Sequence, residues 1–154
     1  VVTEFLDSGI SLEKIMDIMP PQFTWDFTES PDLVQAVAVM LCHAAIPFRL
    51  TGTQTLRIKE TDRIAALQKE LGKLGFLLRS DREGRFLAWE KERVEPEAMP
   101  VIETYHDHRM AMAFAPVALV RGEIVIDDPL VVTKSYPRFW DDLRQAGFSV
   151  EQLD

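Results

Sequence analysis

The sequence predicts an α/β fold built from repeated strand–helix–strand–helix–strand–strand units. Short strand-like runs alternate with helix-like runs along all 154 residues, an order typical of α/β proteins. Hydrophobic residues make up 47% of the chain and charged residues 27%, the balance of an ordinary globular protein. No low-complexity or linker segment divides the chain. The order of elements is close to two copies of the unit, repeated in pattern and not in sequence letters.

The first copy follows a weakly helical segment, Leu12–Met19, that Pro20-Pro21 brings to an end. Alternating aromatic and polar residues predict a strand over Phe23–Thr28. Ser30-Pro31 then begins a helix to about Ala45, with Ser as the N-cap and Pro at the first helical position. The remaining predicted elements are strands at Pro47–Thr53 and Thr55–Lys59, a helix over Thr61–Leu74 closed by Gly75, and a hairpin of Phe76–Arg79 and Arg85–Glu90.

The second copy follows the polar connection Glu92–Pro100. Asp107 opens a predicted helix over about His108–Val120, in the position that favours an N-cap aspartate. The rest of this copy is predicted as a strand at Gly122–Ile126, a turn at Asp127-Asp128-Pro129, a helix over Ser135–Gln145 and a last edge strand at Phe148–Glu151.

Composition excludes several classes of function. Lys and Arg number 17 against 25 Asp and Glu, a formal net charge of −8 that disfavours nucleic-acid binding. Cys42 is the only cysteine and lies in an apolar helical run, so it predicts a buried side chain and no disulfide. No apolar stretch is long enough to span a bilayer, and no signal-peptide pattern opens the chain. We therefore expect a cytoplasmic protein with no membrane partner.

Four short segments carry the charged side chains of interest, each at or just before the start of a predicted helix. Helix N-termini present unpaired N–H groups and a partial positive charge, so they attract anions. Arg63, Arg109 and Lys134 at three of these starts predict a joint site for a substrate with carboxylate and phosphate groups. Asp32 and Glu60 are the titratable groups close to these cations. The segments are Ser30-Pro31-Asp32, Lys59–Arg63, Asp107–Met110 and Thr133-Lys134-Ser135.

Taken singly, each segment has a structural interpretation that outweighs the functional one. Asp32 in a first helical turn is often only a favourable charge near the helix dipole. The charged run Lys59–Arg63 is compatible with a solvated helix start. His108 beside Arg109 is compatible with a surface pair or a hydrogen-bonded core histidine. The case for a functional site is the recurrence of these features at four predicted helix starts.

Four sequence motifs resemble those of the enolpyruvyl transferase family of the shikimate pathway. The run Leu56–Ile64, which reads LRIKETDRI, is similar to the family's most specific signature. Asp107–Met112 resembles its second signature, and Lys134–Pro137 resembles its final Lys-Ser/Thr-aromatic-Pro motif. Ser30-Pro31-Asp32 matches the Pro-Asp that precedes the first signature. The motifs occur in family order over residues Ser30–Pro137.

The resemblance implies a fold of two inverse α/β-barrel-like domains, each of three βαβαββ units, that close on substrate. Residues 1–154 would form part of the C-terminal domain, with the N-terminal domain absent. That missing domain would be this chain's partner, and it would supply a catalytic lysine and most contacts to shikimate 3-phosphate. We therefore expect the chain alone to be inactive. The family implies no metal or organic cofactor.

The family's activity is transfer of the enolpyruvyl group of phosphoenolpyruvate to shikimate 3-phosphate. By resemblance, Asp32 is the base for the attacking hydroxyl and also binds that substrate, and Glu60 handles the methylene proton. Lys59 would contact shikimate 3-phosphate. His108 would position Glu60 or assist proton transfer. The cations that would bind phosphoenolpyruvate are Arg63, Arg109 and Lys134.

Two other interpretations are weighed. The cell-wall enolpyruvyl transferase shares the architecture and the donor but acts on a nucleotide sugar; it lacks the Lys-Glu-Thr-Asp-Arg form found at Lys59–Arg63. A non-catalytic α/β module would use the same helix-start charges to bind anions or a partner. It leaves Asp32 and Glu60 beside an arginine cluster unexplained.

Overall fold

The computed structural model describes residues 1–5, 21–59 and 61–153, which belong to two compact units. The first unit comprises residues 21–59 and 61–100, and the second comprises residues 1–5 and 101–153. Each unit contains a four-stranded sheet with helices. The strand nearest the start of the chain, β1 (Val2–Phe5), belongs to the second unit.

The first unit follows the strand–helix–strand–helix–strand–strand order that the sequence predicts. Its sheet has the order β2-β3-β5-β4; β2 and β3 are parallel and the other pairs are antiparallel. A parallel pair needs a crossover connection, and the helix between β2 and β3 provides it. The elements are β2 (Phe23–Asp26), α1 (Val34–His43), β3 (Phe48–Thr51), α2 (Arg63–Lys73), β4 (Arg79–Ser80) and β5 (Phe86–Trp89).

The core of the first unit is formed by apolar side chains of the sheet and of both helices. Burial of such side chains is the main favourable term in folding, roughly 25 cal/mol per Å² of apolar surface removed from water. Asp62, just before α2, caps that helix by accepting a hydrogen bond from the Ala65 N–H at 3.0 Å. The fully buried residues include Val34, Ala38, Leu41, Leu50, Ile64, Leu67, Leu71 and Leu87.

The second unit repeats this plan with one strand taken from the start of the chain. Its sheet has the order β6-β7-β1-β8, in which β6 and β7 are parallel and β1 is antiparallel to both β7 and β8. Strand β1 thus occupies the position that β5 holds in the first sheet. The following elements are β6 (Val101–Ile102), α3 (His108–Phe114), α4 (Ala118–Arg121), β7 (Glu123–Ile126), α5 (Phe139–Gln145) and β8 (Phe148–Glu151).

Two elements predicted in the first copy differ in the structure. The prediction of a strand at Thr55–Lys59 is wrong, because Gln54–Ile58 is a 3₁₀ helix. Its turn begins with the Leu56 N–H donating to the Thr53 carbonyl, and the Leu56 side chain is fully buried. A 3₁₀ turn, Pro31–Leu33, precedes α1, and the Ser30 side chain makes no cap hydrogen bond. The predicted helix over Leu12–Met19 lies outside the described residues.

Prolines account for the differences in two helices of the second copy. The helix predicted over His108–Val120 is divided by a 3₁₀ turn at Ala115–Val117, where Pro116 has no N–H to donate. The helix predicted over Ser135–Gln145 begins only at Phe139, because Pro137 disfavours helical geometry at the residue before it. Strand β8 lies at the edge of its sheet, as predicted.

Gly52 allows the end of β3 to lie against the turn that follows β2. Its φ is +69°, and a Cβ at this position would overlap the Asp26 carboxylate and the Thr28 backbone nitrogen. We expect Gly52→Ala to lower the free energy of unfolding by at least about 2 kcal/mol, from backbone strain and displacement of this turn. Urea-induced unfolding of the purified protein measures this change.

Gly72 is the matched control for that substitution. It lies within α2, and a Cβ there would meet nothing within 4 Å. Gly72→Ala should raise the free energy of unfolding by about 0.5 to 1 kcal/mol, since alanine loses less backbone entropy in a helix. Equal effects of the two substitutions would contradict this account of Gly52.

Candidate functional site

The start of α2 carries the first group of predicted site residues. Arg63 is the first residue of α2 and only 4% of its surface is exposed. Lys59 follows the 3₁₀ helix and is exposed. Glu60, the predicted acid, lies outside the described residues. The Asp62 cap fixes where the helix begins and therefore where the Arg63 side chain leaves the backbone.

Asp32 and Arg63, two of the predicted site residues, form an ion pair. Nη1 of Arg63 donates a hydrogen bond to Oδ1 of Asp32 at 3.1 Å, and the two residues are 31 positions apart in the sequence. The Arg63 side chain is 5% exposed, whereas that of Asp32 is 47% exposed. A guanidinium fixed in a partly desolvated position is suited to binding an anion, because water screens it less. The exposed face of Asp32 leaves its carboxylate accessible to a ligand.

Arg57 is a further residue at this site to which the sequence analysis assigned no role. Its Nη1 donates to Asp62 Oδ2 at 2.9 Å and its Nη2 donates to the Asp81 carbonyl at 2.9 Å. It therefore connects the helix cap to the turn between β4 and β5. Its position inside the run Leu56–Ile64 was the only sequence signal that could have identified it.

The start of α3 carries the second group. Asp107 is 3% exposed and accepts a hydrogen bond from the Arg109 N–H at 2.9 Å, so it caps the helix as predicted. Nδ1 of His108 lies 4.0 Å from Asp107 Oδ1, an ionic contact only when the imidazole is protonated. His108 and Arg109 are each partly exposed. The cap thus orders two predicted site residues beside a buried carboxylate.

The turn before α3 has an unusual backbone. Tyr105 and His106 both have positive φ, 54° and 56°, values that non-glycine residues adopt rarely. The Asp107 N–H donates to the Thr104 carbonyl at 2.8 Å, and the Thr104 N–H donates to Asp127 Oδ1 at 2.8 Å. These bonds hold the turn in a conformation that local preference would not select.

Lys134 does not lie at the start of a helix, contrary to the prediction. It is exposed in a turn between the 3₁₀ helix Pro129–Val132 and α5. The Tyr136 hydroxyl donates to Asp142 Oδ2 at 2.8 Å and so ties this turn to α5. That hydrogen bond raises the pKa of Tyr136. The segment is ordered by backbone turns and by this side-chain hydrogen bond, and not by a helix cap.

The predicted residues therefore fall into two groups, one in each unit. Asp32, Lys59 and Arg63 belong to the first unit, and His108, Arg109 and Lys134 belong to the second. Within the described part of the chain, no three His, Cys, Asp or Glu residues are placed to share a metal ion. In that same part, no helix combines the length and the apolar character needed to cross a membrane.

Two α/β units of the same plan, each with charged side chains ordered at a helix start, define a repeat-built α/β protein. Residues 16–143 match the family model described as EPSP synthase (3-phosphoshikimate 1-carboxyvinyltransferase). The chain belongs to the EPSP synthase family. This confirms the family resemblance seen in the four motifs, all of which lie within the matched residues.

Curated relatives and solved structures agree with this assignment. A 3-phosphoshikimate 1-carboxyvinyltransferase of Bacteroides fragilis is 50% identical over 151 residues, 98% of this chain and 36% of that protein. One from Methanopyrus kandleri is 42% identical over 130 residues, 83% of this chain and 29% of that protein. A structure of EPSP synthase from Acinetobacter baumannii is similar with a TM-score of 0.59 and 28% identity, covering 80% of this chain and 29% of that one. The chain thus spans about a third of the length of the curated relatives, and the predicted α/β fold of this family is confirmed.

Proposed function

We propose that this chain is part of the C-terminal domain of an enzyme that transfers the enolpyruvyl group of phosphoenolpyruvate to shikimate 3-phosphate and releases phosphate. The observation that carries the proposal is the family match over residues 16–143, which includes every proposed site residue. The enzyme would act in the cytoplasm, in the shikimate pathway. An N-terminal domain of the same protein would complete the active site.

The proposed donor site is formed by cations. Arg63, Arg109 and Lys134 would bind the carboxylate and phosphate of phosphoenolpyruvate. The near-complete burial of the Arg63 side chain supports this role, because a desolvated guanidinium interacts strongly with an anion. Lys134 is exposed in its turn, where its ammonium is accessible to a phosphate.

The proposed acceptor site includes Asp32, the ion-pair partner of the donor cation Arg63. Asp32 would accept the proton of the attacking shikimate hydroxyl, and the half-exposure of its carboxylate, which Arg63 holds in place at 3.1 Å, supports that role. Lys59, which is exposed, would contact shikimate 3-phosphate. Glu60 would exchange the methylene proton, and His108 would position Glu60 or assist that transfer.

The reaction requires paired acid–base chemistry. In the addition step the donor's methylene carbon gains a proton, its neighbouring carbon becomes electrophilic, and the acceptor oxygen bonds to that carbon as Asp32 takes the hydroxyl proton. In the elimination step Glu60 would take a proton from the methyl group, the carbon–carbon double bond re-forms, and the carbon–oxygen bond to phosphate breaks as phosphate leaves with its electron pair. Each positioned acid or base contributes roughly 10² to 10⁴-fold in rate. Cations around the phosphate would stabilise the charge that develops on it.

The test is phosphate release from phosphoenolpyruvate by the full-length enzyme that carries this segment. Shikimate 3-phosphate and a nucleotide-sugar acceptor are offered in separate assays. Turnover only with shikimate 3-phosphate is the expected result. Turnover only with the nucleotide sugar would overturn the acceptor, and turnover with neither would favour a non-catalytic anion-binding module.

We expect residues 1–154 alone to release no phosphate above the buffer rate with both substrates present. The chain spans 36% of the length of its Bacteroides fragilis relative, and catalytic groups that act as a unit lose nearly all activity when one is removed. The assay is run beside the full-length enzyme at equal molar concentration. Sustained turnover by the isolated chain would contradict the proposed contribution of a second domain.

A further inference from the structure

We propose that Arg57 is a positioning residue that sets where Lys59 and Arg63 lie by bridging the helix cap to the β4–β5 turn. The inference rests on the proposed function and assigns no contact between Arg57 and substrate. The Arg57 guanidinium donates to two other parts of the first unit, the cap of α2 and the β4–β5 turn.

The first contact closes a short loop of the chain. Nη1 of Arg57 lies 2.9 Å from Asp62 Oδ2, and the two residues are five positions apart. The residues between them in the sequence include Lys59 and Glu60, both proposed to act on substrate. Joining the ends of this loop reduces the conformations that its middle can adopt.

Asp62 uses its two carboxylate oxygens for different tasks. Oδ1 accepts from the Ala65 N–H at 3.0 Å and begins α2, while Oδ2 accepts from Arg57. The same carboxylate therefore connects Arg57 to the backbone of the turn from which Arg63 projects. A shift of the Arg57 guanidinium would move the Asp62 side chain, and with it the first turn of α2, which contains Arg63.

The second contact holds Arg57 itself in place. Nη2 donates to the Asp81 carbonyl at 2.9 Å, and the Arg57 side chain is 24% exposed. Gly84 of the same turn packs against it, since a Cβ there would lie 2.6 Å from Arg57 Cγ and 2.8 Å from Ile64 Cδ1. The Gly84 carbonyl accepts from the Thr53 hydroxyl at 2.6 Å, which fixes the turn to the 3₁₀ helix. The Arg57 side chain thus lies between the cap of α2 and the β4–β5 turn.

These contacts engage the Arg57 guanidinium with protein groups. Two of its N–H groups donate to protein oxygens, and its Nε is buried with no hydrogen-bond acceptor among the described residues. A guanidinium engaged with a carboxylate and a carbonyl in this way is arranged to hold protein segments together. Arg57 therefore acts on the reaction through the residues it positions.

The experiment is a double-mutant cycle in the full-length enzyme with Arg57→Gln and Asp62→Asn. Asparagine retains an N-cap acceptor but loses the charge that Arg57 meets. We expect each single variant to lower kcat/KM, measured per folded enzyme well below its unfolding temperature, by about 10 to 100-fold, because small misplacements of site groups have effects of that size. The double variant should be no worse than the poorer single one, since both break the same bridge.

Arg85→Gln is the matched control. Arg85 contacts the same turn through an exposed ion pair with Asp81 at 2.6 Å, and no contact between Arg85 and Asp62 is described. It should change kcat/KM by less than about threefold. Multiplicative losses in the cycle, or an Arg57→Gln variant as active as Arg85→Gln, would overturn the inference while leaving the proposed function intact. An inactive wild-type enzyme would overturn the proposed function and this inference with it.

Discussion

Replacing Asp32 by Asn in the full-length enzyme is expected to lower kcat by about 10² to 10⁴-fold, the contribution of one positioned base. Asn cannot accept the proton of the attacking hydroxyl, yet its side-chain oxygen can still accept the hydrogen bond from Arg63 that is 3.1 Å long in the native chain. The loss should therefore appear in kcat far more than in folding. The measurement is phosphate release at saturating concentrations of both substrates.

Glu29→Gln is the control for this substitution. Glu29 is an exposed carboxylate three residues before Asp32, so the change in net charge is the same. Its kcat should stay within about threefold of the wild-type value, as for an exposed charge. The Asp32→Asn enzyme is assayed well below its unfolding temperature, because removing the charge beside the nearly buried Arg63 guanidinium lowers the free energy of unfolding. Unchanged turnover in Asp32→Asn would remove it from the role of base.

Local chemistry made two of the helix starts predictable, those of α2 and α3. Asp107 was predicted to open a helix at about His108, and the helix begins there. The start predicted at Thr61 was within two residues of the observed first residue, Arg63. In both helices an aspartate accepts a backbone N–H of the first turn. A cap depends on residues two or three apart, and such contacts can be read from the sequence.

Long-range contacts explain what was missed. Strand β1 lies between β7 and β8, so that Thr3 pairs with Ile124 and Val150, more than a hundred residues away. The periodicity of hydrophobic residues does not encode such pairing. The 3₁₀ helix Gln54–Ile58 overlaps the segment Thr55–Lys59, which was predicted as a strand. There the burial of Leu56 and the contacts of Arg57 with a distant turn decided the conformation.

The site itself was predictable in part. The ion pair of Asp32 with Arg63 agrees with the expected proximity of a titratable group and an anion-binding cation. The placement of Lys134 was not predicted, because its segment was assigned to a helix start that Pro137 prevents. The roles of Glu60, His108 and the cations remain predictions from family resemblance.

Arg63→Lys is expected to lower kcat/KM for phosphoenolpyruvate by about 10 to 100-fold in the full-length enzyme. Lysine keeps the charge but replaces the planar guanidinium group by a single ammonium group, so paired hydrogen bonds to a carboxylate or phosphate are lost. Hydrogen bonds to charged groups contribute about 1.5 to 3 kcal/mol each, which corresponds to this range. The Arg63 side chain is 5% exposed, and water cannot readily replace the lost donors.

The kinetic comparison between the two substrates makes this prediction specific. KM for phosphoenolpyruvate should rise more than KM for shikimate 3-phosphate, because Arg63 is assigned to the donor. Arg79→Lys is the control: Arg79 makes a paired contact with Glu92, at 2.7 Å through both Nε and Nη2, but its side chain is 60% exposed. Loss of that paired contact should change neither KM by more than about twofold, since exposed ion pairs contribute little. If Arg63→Lys raised only the KM of the acceptor, Arg63 would belong to the acceptor site through its partner Asp32, and the donor would have to be held by Arg109 and Lys134.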